Sequence, residues 1–325
     1  PDGTEVAVKI QYPGIDKAMA ADLKNAKVLS LFQKVFFFRT DTDGILTELE
    51  TRFMDECDYR KEAAYQKAYA ERFAGHPYAI IPEVYDSYST QRVLTTKFYH
   101  GKSFYEWMDD NPSDEVRDRV TRLFYRFYLG SFYFDGLFNC DPHPGNYLFL
   151  DDGRVVFLDY GCCRQFERSR LQDWTRMLLA VVHNDTQAMH DLTTTLDFFK
   201  EGQDYDKPSF EELMRYLYMP YNEDREFRFD EHKPQETFRQ LFTDNPNLFK
   251  LNLPPDAVFL NRIGFGLVSI WSEIGSTLNC RQLVLQYLSG ADPDWPEDPF
   301  RGRVQAMPEL APSEPLVSPT EQLSA

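Results

Sequence analysis

The chain has 325 residues, of which 42% are apolar and 27% are charged. This length allows one large domain or two small ones, and the apolar content is sufficient for a sizeable core. Aspartate and glutamate outnumber lysine and arginine by 52 to 35, so the formal net charge is −17. Such an acidic chain disfavours sequence-independent binding of nucleic acid, which depends on neutralising phosphates, so we expect no nucleic-acid partner. One local cationic site for phosphate is still compatible with this charge.

The sequence contains no apolar stretch of about 18 residues or more, so we expect no membrane-spanning helix. Its most apolar segment, 257–274, is interrupted by Asn261, Arg262 and Glu273 and predicts a buried amphipathic helix. The five cysteines show no paired C-x-x-C spacing, which disfavours a zinc site and indicates a reducing compartment.

The predicted elements begin with a strand over 5–12, which alternates apolar and polar residues after a turn at 1–4. A chain that opens inside a turn is expected to be a fragment of a longer protein. Helical patterns follow over 15–38 and 45–73. Residues 301–325 are rich in proline and are predicted to be disordered. The elements predicted between are strands over 80–85 and 92–98, helices over 103–110 and 114–135, a hairpin of strands over 147–150 and 154–158, and helices with polar loops over 166–290.

A lysine lies at the end of the apolar run Val6-Ala7-Val8-Lys9. Burying its ammonium group without a partner is costly, and lysine is a compact point charge suited to phosphate. The kinase pattern V-A-I-K uses such a lysine to hold nucleotide phosphates. Taken alone, the segment favours an edge-strand lysine that reaches solvent.

An acidic segment, Glu56-Cys57-Asp58-Tyr59-Arg60-Lys61-Glu62, lies on the predicted helix over 45–73. Asp58 and Glu62 are four residues apart and share a face, where like charges repel by about a few tenths of a kcal/mol. A cation facing them would offset this repulsion, and Lys9 or a metal ion are the candidates. Taken alone, the segment favours a solvated charged face.

The polar stretch Asp141-Pro142-His143-Pro144-Gly145-Asn146 precedes a hairpin that ends in Asp159-Tyr160-Gly161. The spacing of Asp141 and Asn146 matches the catalytic loop of protein kinases, and Asp159 with Gly161 matches their D-F-G motif. Asn146 and Asp159 supply oxygen ligands for Mg²⁺, and Asp141 supplies a group that orients a nucleophile. The alternative is a Pro/Gly turn followed by a turn aspartate, but Lys9 and Glu62 upstream, in kinase order, favour the kinase-like interpretation.

These motifs resemble those of the UbiB-like (AarF) family of atypical protein-kinase-like proteins. The matching segments are V-A-V-K-I-Q-Y-P-G at 6–14, E-C-D-Y-R-K-E-A at 56–63, D-P-H-P-G-N at 141–146 and F-L-D-Y-G at 157–161. The resemblance implies an α+β, protein-kinase-like two-lobe fold with a truncated N-lobe and a mostly helical C-lobe. The expected domains are a partial kinase-like N-lobe with inserted helices over 1–98, a helical C-lobe with the catalytic and metal loops over 99–290, and a disordered Pro-rich tail over 291–325.

The resemblance also implies that ATP and Mg²⁺ are cofactors. It assigns phosphate binding to Lys9, ion pairing with that lysine to Glu62, an extra acidic pair at the cofactor to Glu56 and Asp58, catalysis to Asp141 together with Lys9 and Glu62, and metal binding to Asn146 and Asp159. The geometric expectations are a contact between Lys9 and Glu62, and convergence of Asn146 and Asp159 on one metal ion with Asp141 nearby. Family members also carry a Lys-x-Gly-Gln helix and an Ala-rich nucleotide loop before the lysine strand, and this chain starts after that point.

The family is linked to ubiquinone biosynthesis and isoprenoid-lipid homeostasis in bacteria, mitochondria and plastids. The expected activity is therefore ATP-dependent phosphoryl transfer or ATP hydrolysis, with a nucleotide and a small-molecule or lipid substrate as partners. No A-P-E follows Asp159-Tyr160-Gly161, so no protein acceptor is expected. The alternative is a non-catalytic kinase-like module that binds nucleotide or lipid. A lipid-binding scaffold with peripheral membrane contact is a third interpretation, favoured if the aromatic segment 123–134 is exposed rather than buried.

Overall fold

The structure is a computed structural model that describes residues 3–15, 57–230, 245–248, 250–252, 254–289 and 292–295. Glu56, nearly all of the helix expected over 15–38, and the tail expected over 301–325 lie outside these residues. The helices and strands are, in chain order, β1 (Val6–Ile10), α1 (Tyr59–Arg72), β2 (Ala79–Ile80), β3 (Val93–Lys97), α2 (Phe104–Asp109), α3 (Asp114–Tyr125), α4 (Ser131–Asp135), β4 (Leu137–Asn139), β5 (Tyr147–Phe149), β6 (Val155–Phe157), β7 (Cys163–Gln165), α5 (Arg168–Val182), α6 (Thr186–Thr195), α7 (Lys207–Leu217), β8 (Phe227–Arg228), α8 (Pro255–Ile274), β9 (Thr277–Leu278) and α9 (Cys280–Leu288).

The strands form small separate sheets. β1 pairs antiparallel with β3, and this register places Lys9 opposite Leu94. The hairpin of β5 and β6 was expected from the sequence, and β2 joins β6 in parallel. β4 and β7 form an antiparallel pair that the sequence analysis did not predict, because three-residue strands are too short to show alternation. The hairpin and the β4–β7 pair frame the polar loop that contains Asp141.

The helix predicted over 45–73 is interrupted at Asp58, and the part of it over 45–56 lies outside the described residues. The pattern over 45–73 indicated one continuous helix through Asp58, but Asp58 has extended backbone angles and its side chain accepts a hydrogen bond from the Arg60 N–H. An aspartate in this position is a strong N-cap, so the helix starts at Tyr59. Its Ala, Glu, Lys and Gln residues favour helix, and the face that includes Glu62 and Tyr69 is buried.

The core is aromatic and surrounds α3. The chain continues from α3 through a π-helical turn, Arg126–Gly130, into α4. Phe124, Phe127 and Phe132 are at most 1% exposed, and the Phe127 ring stacks on Phe157 at 3.9 Å between centroids. Burial of the aromatic segment 123–134 was expected, and its residues 123–132 are buried, which removes the feature that would have favoured a lipid-binding scaffold. Within the described ranges, no helix is long and apolar enough to cross a membrane.

A buried cluster of charges links α1 to the rest of the fold. Arg72, on the last turn of α1, donates from Nε to both carboxylate oxygens of Asp135 at 2.8 Å. Arg126 lies 3.7 Å from Asp135 and 3.2 Å from Asp292. All four side chains are buried. Paired burial of this kind is tolerated, whereas loss of one partner leaves a costly charge in the core.

Candidate active site

Lys9 and Glu62 form the predicted ion pair. Lys9 Nζ lies 2.8 Å from Glu62 Oε1 and 3.0 Å from Oε2, although the two residues are far apart in the sequence. Strand β1 and helix α1 bring them together, and Gln11 Nε2 ties the strand to the helix start by donating to the Cys57 carbonyl at 2.9 Å. The Lys9 ammonium also lies 5.2 Å from the centre of the Tyr59 ring. The lysine expected to reach solvent if taken alone is therefore held by partners.

Asp159 completes this charge cluster. Its Oδ2 lies 3.6 Å from Lys9 Nζ, and its Oδ1 accepts the Gly161 N–H at 2.8 Å. A Cβ added at Gly161 would lie 3.3 Å from Asp159 Oδ1 and 3.5 Å from Glu62 Oε2. Glycine at this position therefore lets the two carboxylates approach the same turn.

The electrostatics of the cluster follow from its two acids and one base. Burial of the Lys9 ammonium would lower its pKa, but the carboxylates of Glu62 and Asp159 outweigh burial and raise the pKa above its usual value. Burial raises the pKa of the Glu62 carboxyl, and Asp159 adds to this, while Lys9 opposes it. The Lys9 ammonium thus neutralises part of the charge of both Glu62 and Asp159, and the Asp159 carboxylate stays partly exposed to solvent.

The loop that contains Asp141 is closed by Asn146. Asn146 Nδ2 donates to the Asp141 carbonyl at 3.1 Å and to Asp141 Oδ2 at 3.2 Å. The loop ends in a short 3₁₀ turn, Pro144–Asn146, and the Asn146 carbonyl accepts the Leu158 N–H at 3.0 Å. Asn146 is therefore fixed beside Asp141 on one side and beside the strand that leads to Asp159 on the other.

Asn139 is a positioning residue that the sequence analysis missed. Its Oδ1 accepts the Asp141 N–H at 3.0 Å, and its Nδ2 donates to the Asp159 carbonyl at 2.8 Å. The side chain is 2% exposed, so both hydrogen bonds are shielded from water. Asn139 thus fixes the two key aspartates relative to each other. An asparagine at a strand end carries no pattern that would have identified it.

Asp58 has a different partner from Glu62. Its Oδ1 accepts from Arg60 Nε at 2.9 Å and its Oδ2 from Arg60 Nη2 at 2.7 Å. Burial would raise the pKa of the Asp58 carboxyl, but the hydrogen bonds from Arg60 outweigh burial and lower it. The expectation that one cation faces both acids is wrong for Lys9, and the solvated charged face is also wrong, because Asp58 and Glu62 are both buried. The predicted cofactor role of Asp58 stays a prediction.

The oxygen atoms at this site are of the kind that magnesium prefers, and the convergence of Asn146 and Asp159 on one ion stays a prediction. Asp159 offers a carboxylate, and Asn146, whose Nδ2 is engaged by Asp141, has its amide oxygen on the other branch. Across the described ranges no group of three or more His, Cys, Asp and Glu side chains is arranged to hold a metal. Magnesium is usually bound by one or two protein oxygens together with phosphate oxygens, so a pair of ligands is sufficient when nucleotide is present.

Helix α8 packs against the loop that contains Asp141, with Gly266 facing Pro142. A Cβ built on Gly266 of this helix would lie 2.6 Å from Pro142 Cγ, so only glycine permits the observed approach. Pro142 directly follows Asp141 in the chain. The sequence analysis predicted α8 as a buried helix but gave no reason to connect it with the loop.

A model of the ABC1 atypical kinase-like domain family matches residues 1–193, more than half of the chain. The chain belongs to this family. The resemblance to UbiB-like (AarF) proteins is thereby confirmed, and so is the α+β kinase-like fold class. The match covers Lys9, Glu62, Asp141, Asn146 and Asp159.

Several relatives that the chain matches are named as kinases. The chain is 34% identical to Protein ACTIVITY OF BC1 COMPLEX KINASE 8, chloroplastic, of Arabidopsis thaliana, over 49% of this chain and 22% of that protein. It is 25% identical to the probable serine/threonine-protein kinase abkA of Dictyostelium discoideum, over 86% of this chain and 53% of that one. It is 24% identical to the mitochondrial atypical kinase COQ8B of Danio rerio, over 88% of this chain and 46% of the relative. The chain thus spans about half or less of the length of these relatives.

A solved structure shares the fold. The Mycobacterium tuberculosis protein Rv3197, determined as a complex with erythromycin, superposes with a TM-score of 0.65 and 24% identity. The match covers 88% of this chain and 72% of that one.

Proposed function

We propose that this chain carries the site of an atypical kinase or ATPase, which uses ATP and Mg²⁺ and acts on a small molecule, a lipid or water. The observation that supports this most directly is the position of Lys9 Nζ, 2.8 Å from Glu62 and 3.6 Å from Asp159. In protein kinases the corresponding lysine–glutamate pair must form before phosphoryl transfer. We further propose a link to ubiquinone or isoprenoid-lipid metabolism, in line with the named COQ8B relative.

Each residue then has a separate task. Lys9, held by Glu62, binds phosphate oxygens as a fixed positive charge. Asn146 and Asp159 hold Mg²⁺, which when bound neutralises charge on the transferred phosphoryl group. Asp141 orients the attacking hydroxyl or water and accepts its proton, and the hydrogen bonds from Asn139 and Asn146 fix the position of Asp141.

The acceptor is proposed to be small because the chain after Asp159 is occupied elsewhere. Residues Cys163–Gln165 pair with β4, and helix α5 begins at Arg168. The residues that would form the peptide-binding activation segment in a protein kinase therefore belong here to a strand pair and to the start of a helix. Phosphorylation of added protein is not expected.

The test compares nucleotide binding with and without Mg²⁺ in matched aspartate variants. Wild type, Asp159→Asn and Asp109→Asn are titrated with ATP by calorimetry, Asp109 being an exposed aspartate at the end of α2. We expect Asp159→Asn to lose at least about tenfold of the Mg²⁺-dependent affinity and to match wild type in EDTA, because a metal-ligand contact is lost. Asp109→Asn should behave like wild type. Equal ATP affinity of all three proteins with and without Mg²⁺ would contradict the assignment.

A second measurement separates an enzyme from a non-catalytic nucleotide-binding module. Labelled ATP is incubated with each protein together with membrane-lipid extract, generic protein substrates, or buffer alone. We expect label in lipid or released phosphate, lost in Asp141→Asn, while the ATP affinity of Asp141→Asn stays within about threefold of wild type because Asp141 acts mainly on the nucleophile. Nucleotide binding without any turnover would favour the regulatory module. Labelling of added protein that depends on Asp141 would refute the proposed acceptor class.

A further inference from the structure

A large apolar cavity lies in the helical region, and its described lining includes none of Lys9, Glu62 and Asp159. Counting the part open to solvent, it holds about 1090 Å³ of empty space. Helices α5, α7 and α8 and strand β8 contribute to its wall, and its described lining includes Leu129, Trp174, Met214, Phe227 and Leu267. None of the described lining residues is charged. The part comparable with an internal void is about 120 Å³, and since protein interiors hold few voids larger than a water molecule, a cavity of this size needs an explanation.

Four tyrosines line the cavity, and two of them, Tyr133 and Tyr218, carry the hydroxyls that are candidate donors to a ligand. Tyr133 and Tyr218 both line it, and neither hydroxyl has a hydrogen-bond partner among the described residues. Burial raises the pKa of both phenols, so both remain neutral O–H donors at physiological pH. Both side chains are partly buried, and each hydroxyl is a donor that an acceptor atom of a ligand can engage.

We propose that this cavity binds a neutral, mostly hydrocarbon ligand that carries a hydrogen-bond-accepting oxygen. The hydrocarbon part contacts the aromatic and aliphatic wall, and the oxygen accepts from Tyr133 or Tyr218. A charged ligand is disfavoured because its charge would be desolvated without an opposite charge in the described wall. The wall and its two hydroxyls carry this proposal, which is independent of the nucleotide function proposed above.

The geometry of α8 supplies a way to block the cavity. Gly264 lines it, and a Cβ built there meets no atom of the described residues within 4 Å. A leucine at this position therefore extends into open space rather than into the packed core. Helix α8 also tolerates leucine better than glycine, so Gly264→Leu is expected to fold.

The experiment uses Nile red, a neutral apolar dye with a carbonyl oxygen, as the probe. Its fluorescence is titrated against the full chain, and hexanophenone and hexylbenzene then compete for the same site. These two competitors share a phenyl ring and a six-carbon chain, and only the first has an acceptor oxygen. We expect saturable binding of Nile red, displacement by both compounds, and an affinity for hexanophenone about five- to tenfold higher than for hexylbenzene, since one net hydrogen bond is gained.

Three variants assign the binding to this cavity. The double change Tyr133→Phe and Tyr218→Phe should remove the preference for hexanophenone and leave hexylbenzene affinity within about twofold, because only hydroxyls are lost. Gly264→Leu should weaken both competitors at least about tenfold by filling the space. Tyr105→Phe, at an exposed tyrosine outside the cavity, should match wild type.

The proposal is overturned if Nile red shows no saturable binding. It is also overturned if Gly264→Leu binds both competitors as wild type does, with an unchanged unfolding midpoint in urea. A preference for hexanophenone that survives the double tyrosine change would refute the assigned donors and with them the stated ligand class.

Discussion

Replacing Gly266 by alanine tests whether α8 determines the position of the loop that contains Asp141. The added Cβ would lie 2.6 Å from Pro142 Cγ, about 0.8 Å inside the 3.4 Å at which ordinary contact begins. Pro142 is rigid and is followed by a second X-Pro step at Pro144, so the loop has to shift as a unit. Overpacking of this size costs about 1–3 kcal/mol, and alanine recovers about 1 kcal/mol of helix propensity. The net expected change is a loss of about 0–2 kcal/mol in the free energy of unfolding.

The matched control is Gly264→Ala, on the same helix and two residues earlier. Its Cβ meets no atom within 4 Å in the part of the chain that the structure describes, so the same propensity gain applies without the clash. Urea unfolding should therefore find Gly264→Ala more stable than Gly266→Ala by about 1–3 kcal/mol. This difference isolates the contact with Pro142 from the general effect of adding a methyl group to a helix.

The functional measurement follows from the same displacement. Pro142 is adjacent to Asp141, so a loop shift of about 0.8 Å moves the proposed nucleophile-orienting carboxylate. Displacements near 1 Å can lower the rate of a positioned reaction about 100-fold. We expect ATP turnover of Gly266→Ala to fall about 10- to 100-fold while ATP affinity changes less. Equal stability and turnover in the two glycine variants would refute the role of α8.

Three further predictions concern the ion pair of Lys9 and Glu62, the bridge that Asn139 forms between Asp141 and Asp159, and the buried charges around Arg72. Because burial raises the pKa of Glu62, the folded chain keeps the proton on this carboxyl to a higher pH than the unfolded chain does. The free energy of unfolding of wild type minus that of Glu62→Gln should therefore fall as the pH rises from about 4 to 7. A flat or rising difference in urea titrations would refute this. Asn139→Ala should cost about 1–3 kcal/mol and lower ATP turnover, whereas a loss of stability with full turnover would show that the bridge is only structural. Arg72→Met should lower the free energy of unfolding by about 3–5 kcal/mol, because it removes the hydrogen bonds that Arg72 donates to the buried Asp135 carboxylate. Lys67→Met, at an exposed pair with Asp86, should lower it by at most about 1 kcal/mol. Equal losses in thermal unfolding would contradict the burial argument.

The cluster around Lys9 could be predicted from the sequence because each of its residues lies in a short contiguous motif. Each motif is short, and the order of the lysine, the helix acid and the two loop aspartates matches one fold, so the contact between Lys9 and Glu62 followed without knowledge of the path between them. The start of α1 was missed because periodic apolar residues suggested a longer helix, and the N-cap signal of Asp58 was read as part of an acidic face. The same residue types support both interpretations until the backbone angles are known.

The contacts that position the motifs could not be predicted in this way. Asn139 acts through two hydrogen bonds to other residues, and Gly266 acts by having no side chain; neither leaves a pattern in the sequence. The apolar cavity is also invisible, because its wall residues have the same composition as a packed core. Such features depend on the distance between elements, which sequence periodicity does not determine.

The buried charges explain why the ion pair between Lys9 and Glu62 is formed in this fold. Helix α1 is fixed at its start, where the Tyr59 N–H donates to the Gln91 carbonyl at 2.9 Å, and at its end, where Arg72 pairs with Asp135. Swinging the helix away would break a pair that is almost completely buried, at a cost of about 3–5 kcal/mol. Since about 1.4 kcal/mol corresponds to a factor of ten, the swung-out state would be populated roughly 10²- to 10⁴-fold less than the paired state. In protein kinases the position of the corresponding helix is a common point of control, whereas here the buried pair holds Glu62 against Lys9.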